Sequence, residues 1–70
     1  MHRTFDRLLK PIKDASLSVG QRRFYAIREI ALTEQANNIL KRAGDVEGLQ
    51  FGEEYLRTLR QVALHHGLVL

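Results

Sequence analysis

A stretch of 25 residues between two helix-terminus signals constrains this chain more than any other feature. Residues 18–21 match the capping box, in which Ser18 accepts from the N–H of Gln21 and the Gln21 side chain reaches back. Lys41 and Arg42 then precede Gly44, and cations in a last turn followed by glycine are typical of a helix C-terminus. We expect a helix over residues 19–43, about 37 Å long, which is long for a chain of 70 residues.

The apolar residues of this helix do not form a single face. At about 100° per residue, a first group clusters in one direction: Phe24, Ile27, Ile30 and Ala31. A second group lies about 140° away and comprises Tyr25, Leu32, Ala36, Ile39, Leu40 and Ala43. The two groups predict two different neighbours, either the other two helices or one helix and a second protomer. Alternatively, Thr33 caps a separate helix and Asn37 and Asn38 mark irregularity; we favour one continuous helix.

A shorter amphipathic helix is expected over residues 4–14. Its apolar residues follow the i, i+3, i+4, i+7 pattern at Phe5, Leu8, Leu9 and Ile12. The opposite side carries Arg3, Arg7, Lys10 and Asp14. Pro11 lacks an N–H, so we expect the helix to bend, end or begin again near it.

A third helix is expected over residues 53–66, after a loop at residues 45–50. Gly52 is the expected cap, Glu53 and Glu54 complement the helix N-terminus, and Phe51 is expected to pack on Leu56. The apolar stripe is Tyr55, Leu56, Leu59, Val62, Ala63 and His66. Gly67 then ends the helix in a Schellman motif, with Leu68 folded back over Ala63. No segment has the pattern of a strand, so the predicted fold is all-α, a single three-helix domain with a long central helix.

The size of the chain indicates that this domain is completed by oligomerisation or by a partner chain. Apolar burial contributes about 110 kcal/mol, and conformational ordering costs about 105 kcal/mol. The absence of cysteine removes disulfides and thiolate zinc sites as extra stabilisation, and it favours a cytoplasmic or other reducing compartment.

The longest apolar run, residues 24–27, is too short to span a bilayer. Asp6 and Asp14 disfavour a transit peptide.

Catalysis is not expected, because three helices enclose little space from which water is excluded. His65 and His66 are adjacent and point about 100° apart, so they cannot grip one ion together. Glu53 and Glu54 are explained by their place at a helix N-terminus. We therefore expect no enzyme activity, cofactor, metal or small-molecule substrate.

The cations at the start of the central helix are unfavourably placed, because the N-terminus of a helix carries a partial positive charge. An anion such as phosphate, nucleic-acid backbone or an acidic protein surface is one explanation. The candidate contacts are Ser18, Gly20, Arg22, Arg23 and Arg28, with Arg3, Arg7 and Lys10 from the first helix. The alternative is that Arg22 and Arg23 pair with Asp14, Glu29 or another helix.

The apolar groups predict a protein interface. The candidate residues are Tyr25, Leu32, Ala36, Ile39 and Leu40, with the C-terminal Leu68, Val69 and Leu70 unless these cover the end of the bundle. The expected function is a small protein–protein interaction module, either a homo-oligomeric regulator or an accessory subunit whose partner is another protein chain. The alternative is a basic DNA- or RNA-binding protein that contacts phosphates through Arg22, Arg23, Arg28 and the first helix.

Overall fold

A computed structural model describes residues 3–70 of the chain, with side chains from Phe5 onward. It contains three helices, α1 (Arg3–Lys13), α2 (Val19–Ala43) and α3 (Val46–His65), and no strand among the described residues. The all-α prediction with a long central helix is confirmed. Helix α2 continues through Thr33 without a break, and α1 continues through Pro11.

Both ends of α2 are capped as the sequence indicates. The Ser18 Oγ accepts from the Gln21 N–H at 3.1 Å, and the Gln21 Oε1 accepts from the Ser18 N–H at 2.9 Å. Gly44 takes a left-handed conformation with φ of 72°, and the following N–H of Asp45 donates to the Leu40 carbonyl. The capping box and the glycine terminus therefore fix the ends of α2 by local hydrogen bonds.

The predicted start of the third helix is wrong. Helix α3 begins at Val46 rather than residue 53, and Asp45 is its N-cap, with its Oδ1 accepting from the Gly48 N–H at 2.9 Å. The expected loop at residues 45–50 is therefore almost entirely helical, and only Gly44 and Asp45 separate the two long helices. The carboxylate cap stabilises a first turn that Gly48 disfavours by about 1 kcal/mol relative to alanine.

Gly52 is an interior residue of α3 and not its cap. Phe51, expected to pack on Leu56, instead has its ring 5.1 Å from that of Phe5 in α1. At the other end of α3 the predicted Schellman motif is confirmed. The Leu68 N–H donates to the Ala63 carbonyl at 2.9 Å and the Gly67 N–H to the Leu64 carbonyl at 3.0 Å.

The hydrophobic core is built mainly by α1 and α3. Its described members are Phe5, Leu9, Ile12, Ala26, Tyr55, Leu59, Ala63 and Leu68. Helix α2 contributes Ala26 to this cluster and otherwise buries the polar residues Thr33 and Asn37. Most of the large apolar side chains of α2 therefore lie outside the core.

The molecule is elongated for its mass. Its dimensions are 39 × 21 × 15 Å, and its radius of gyration is 12.5 Å, against about 11 Å for a compact domain of this length. Its accessible surface is 5194 Å², against about 4,500 Å² for a monomer of this mass. Because α1 is shorter than half of α2, it covers only part of the α2–α3 pair.

Candidate protein-interaction site

One side of α2 carries a row of apolar residues that the bundle does not cover. We call it the outer stripe and define it as Tyr25, Leu32, Ala36, Ile39 and Ala43. The exposed fractions are 37% for Tyr25, 48% for Leu32 and 62% for Ile39, and both alanines are also exposed. From Leu32 onward the members are separated by four, three and four residues, which is the spacing of a coiled-coil seam.

The outer stripe borders a shallow apolar cleft formed where the three helices meet. The cleft has a volume of about 270 Å³, with Leu8 of α1 and Phe51 of α3 in its walls beside Leu32 and Ala36 of α2. Leu8 and Phe51 are themselves more than two-fifths exposed. The cleft extends the outer stripe sideways, so the exposed apolar surface is wider than one helix.

Asn37 and Gly52 lie together in the wall of this cleft. Asn37 is buried, and its Oδ1 has no hydrogen-bond partner among the described residues. A Cβ atom at Gly52 would lie 1.9 Å from that oxygen, which no real contact allows. The glycine therefore lets α3 approach the Asn37 amide, and neither residue was singled out by the sequence for this contact.

Glu29 lies four residues after Tyr25 and three before Leu32, so it fits the spacing of the outer stripe. We call the outer stripe together with Glu29 the seam. Its Oε2 accepts from the Tyr55 hydroxyl at 3.2 Å, so the carboxylate is held toward α3. Burial of Tyr55, the nearby Glu29 charge and this hydrogen bond together raise the pKa of Tyr55 to about 12.

A second apolar surface lies at the C-terminal end. We call it the tail groove; it has a volume of about 670 Å³ and is lined by Ile27, Ile30, Arg60, Leu64, Leu68, Val69 and Leu70. Leu64 and Val69 are more than three-quarters exposed. The Arg60 guanidinium at this groove lies 3.9 Å from the Glu34 carboxylate and links α3 to α2.

The three C-terminal residues have different roles. Leu68 is only 3% exposed and belongs to the core, so of its two predicted roles it covers the end of the bundle, and its place among the candidate interface residues is wrong. Val69 and Leu70 remain exposed. The Val69 carbonyl accepts from the Arg23 Nε, which ties the tail to the start of α2.

The residues expected to contact an anion are dispersed. Arg23 is bonded to the tail, and the Ser18 hydroxyl already accepts from a backbone N–H. Arg22 is partly buried and its Nε has no partner among the described residues, whereas Arg28 is exposed. At about 100° per residue, these three arginines point to three different sides of α2. Gly20, Arg7 and Lys10 are exposed, and the Arg3 side chain lies outside the described residues.

Asp14 offers Arg22 a nearby opposite charge. The Asp14 carboxylate accepts from the hydroxyl and the backbone N–H of Ser16, and these bonds lower the pKa of Asp14. The positive charges of Lys10 and Arg22 lower it further. The cations at this end of the molecule are therefore balanced in part by the chain itself.

The histidines and carboxylates of the described part of the chain do not form a metal-binding cluster. No group of three or more histidines, aspartates or glutamates there is placed to hold a metal ion. His65 and His66 pack edge to face, with ring centroids 5.5 Å apart. None of the described helices is both long and apolar enough to cross a membrane.

Sequence reasoning missed Leu8, Phe51 and Leu64 as exposed apolar residues. Leu8 was assigned to an inward face by periodicity, Phe51 was expected to pack on Leu56, and Leu64 falls outside the predicted stripe of the third helix. The exposure of Ile27 was also missed, because its group was expected to face a neighbouring helix. The seam spacing from Leu32 to Ala43 is a signal that a heptad test of the sequence detects.

Comparison with known proteins does not extend these observations. No protein-family model matches the chain, and no match was found among curated proteins or solved structures.

Proposed function

We propose that this chain is a small helical protein–protein interaction module that binds another polypeptide through the outer stripe of α2. The observation that carries the proposal is the exposure of Tyr25, Leu32 and Ile39 on one side of a capped, continuous helix. Monomeric proteins seldom expose contiguous apolar surface of this kind unless it binds something.

The accessible surface area of the chain is large enough to include an uncovered interface. The chain exposes about 700 Å² more than expected for a compact monomer of its mass. Each partner contributes about 800 Å² to a typical stable interface. The excess belongs to the whole elongated molecule, and its size does not exceed one half of an ordinary protein–protein interface.

Nucleic-acid binding is supported less well by the geometry. The arginines expected to contact phosphate point to different sides of α2, and Arg23 is engaged by the tail. A duplex presents phosphates along one continuous surface, so a protein that binds it needs several cations on one face. The predicted phosphate contacts Arg22, Arg23 and Arg28 do not form such a face.

The test uses two variants at neighbouring positions of α2. Ile39→Asp places a charge in the outer stripe, whereas Asn38→Asp places the same side chain about 100° away on an exposed side of the helix. Circular dichroism first establishes that both variants remain helical. Light-scattering mass over a wide concentration range, and quantitative capture of protein partners from the source cells, then compare them with the wild type.

We expect Ile39→Asp to lose its protein partner and Asn38→Asp to retain it. Equal partner binding by the two variants would overturn the proposal. A salt-dependent complex with generic duplex DNA that both variants retain, without any protein partner, would favour the nucleic-acid alternative.

A further inference from the structure

The edge of the outer stripe is basic and repeats with the same period as the stripe. Arg28, Gln35 and Arg42 are seven residues apart and all exposed. Each lies immediately before a residue of the seam at 29, 36 or 43, which is the position that flanks the seam in a coiled coil. Among the described residues, Arg28 and Arg42 form no ion pair.

The opposite edge of the seam carries no charge. Its residues are Ala26, Thr33 and Leu40, which are buried or partly buried against the rest of the bundle. The one acidic residue within the seam, Glu29, is held toward α3 by Tyr55. The surface that α2 offers to a neighbour is therefore apolar along its centre and positively charged along its free edge.

We infer that the occupant of the outer stripe is an amphipathic helix of another protein, with an apolar seam and acidic residues along one edge. This inference rests on the proposed function and names the partner. A helix fits because Ala36 leaves space between Leu32 and Ile39, and Ala43 leaves space beyond Ile39, for the large side chains of a partner seam. An acidic edge fits because residues flanking a seam select partners by charge.

A second copy of the chain fits this surface less well. Antiparallel pairing of two α2 helices brings the same edge of each helix together, so Arg28 of each copy would lie near Arg42 of the other. Like charges at this position disfavour association. The net charge of +3 on each copy adds to the repulsion.

The test measures binding of the full chain to two synthetic helical peptides. Both peptides share one leucine and isoleucine seam, and their edge positions carry glutamate in one peptide and lysine in the other. We expect the glutamate peptide to bind about tenfold more tightly than the lysine peptide, a difference of about 1.4 kcal/mol. The preference shrinks as salt is raised, because the pairs are exposed.

Two double variants with the same change in net charge make the test specific. Arg28→Glu/Arg42→Glu is expected to reverse the preference toward the lysine peptide. Lys10→Glu/Arg57→Glu alters exposed cations away from the outer stripe and is expected to leave the preference unchanged. Leu32→Asp is expected to abolish binding of both peptides.

Three results would overturn the inference: no binding of either peptide, equal affinity for both, or an equal shift in the two double variants. A wild-type dimer that Leu32→Asp dissociates would assign the stripe to a second copy instead. If the peptides fail while Ile39→Asp still loses a cellular partner that Asn38→Asp keeps, the proposed function stands and this inference alone fails.

Discussion

The two sides of α2 differ in a way that reverses the usual arrangement of an amphipathic helix. The inward side buries Ala26, Thr33 and Asn37, which are small or polar, whereas the outward side exposes Leu32 and Ile39. In an ordinary surface helix the large apolar residues face the core. Helix α2 instead packs closely against the bundle on one side and exposes large apolar residues on another.

The inward side is small because the helices approach closely there. Gly52 of α3 meets Asn37 with no room for a Cβ atom, and the bulk of the core comes from residues such as Leu9 and Leu59 on the other two helices. A bulky residue at the inward positions of α2 would separate the helices. The difference between the two sides teaches that the large apolar side chains of a helix in a small bundle are not always the ones that the bundle buries.

The largest effect on the free energy of unfolding is expected when a core leucine is compared with an isoleucine of the outer stripe. Leu59→Ala removes a fully buried side chain, and we expect a loss of about 2–5 kcal/mol in the free energy of unfolding. Ile39→Ala is expected to change it by less than about 0.5 kcal/mol in the isolated chain, since Ile39 is exposed. Denaturant unfolding followed by circular dichroism measures both. Similar losses in the two variants would show that the outer stripe is part of the core.

The close approach of α2 and α3 is tested at Gly52. We expect Gly52→Ala to lower the free energy of unfolding by about 1–2 kcal/mol, because the overpacking cost exceeds the gain in helix propensity. Gly20→Ala is the matched control: the added methyl group meets only the Ser18 Oγ at 3.9 Å, and the change is expected to be neutral or stabilising.

The same position offers a rescue experiment. If the cost of Gly52→Ala arises from contact with the Asn37 amide, then adding Asn37→Ala removes the clash, and the double variant recovers most of the lost stability. A double-mutant cycle measures this coupling. Strictly additive effects would mean that the two helices do not approach each other as closely as the structure shows.

The smallest expected effect concerns Tyr55, which joins the packed side to Glu29 of the seam. Tyr55→Phe removes the hydrogen bond to Glu29 and is expected to cost about 0.5–1.5 kcal/mol. It also frees the Glu29 carboxylate beside the outer stripe, so we expect the variant to bind the glutamate peptide more weakly than the wild type does. Unchanged binding would show that Glu29 does not face the partner even when released.

The pKa of Tyr55 gives this contact a pH signature. The pKa is raised to about 12 in the folded chain, against about 10 for an unperturbed tyrosine. The corresponding stabilisation is complete below pH 10 and is lost as the pH rises toward 12. Ultraviolet titration of tyrosinate should show one late-titrating tyrosine that Tyr55→Phe removes. A single ordinary transition in the wild type would contradict the buried contact with Glu29.

Local signals were sufficient to predict several features of the fold. The capping box at Ser18, the glycine terminus at Gly44 and the Schellman motif at Gly67 each depend on hydrogen bonds between residues close in sequence. The start of α3 also has a local signal, but the prediction did not use it. Asp45 is a good N-cap, but the glycines at 44, 48 and 52 were interpreted as a break between helices. Gly52 instead allows α3 to pack closely against Asn37 of α2.

The candidate site was predicted only in part. The apolar group from Tyr25 to Ala43 was found from periodicity, but periodicity cannot show which of two apolar groups on a helix is covered. The Schellman motif predicted that Leu68 folds back over Ala63, but the shape of the tail groove and the exposure of Val69 depend on how the tail packs against α2 and α3. The dispersion of the arginines follows from helix geometry together with the bond from Arg23 to the tail.

The sequence by itself determined that the chain is all-α and where α2 begins and ends, because capping and helix periodicity are properties of a few neighbouring residues. Only the tertiary structure decided that α2 buries Ala26, Thr33 and Asn37 and leaves Leu32 and Ile39 exposed. That outcome depends on contacts between residues far apart in sequence, such as Asn37 with Gly52 and Glu29 with Tyr55. The exposed stripe is thus a product of packing, and its basic edge identifies the kind of helix that we expect to bind it.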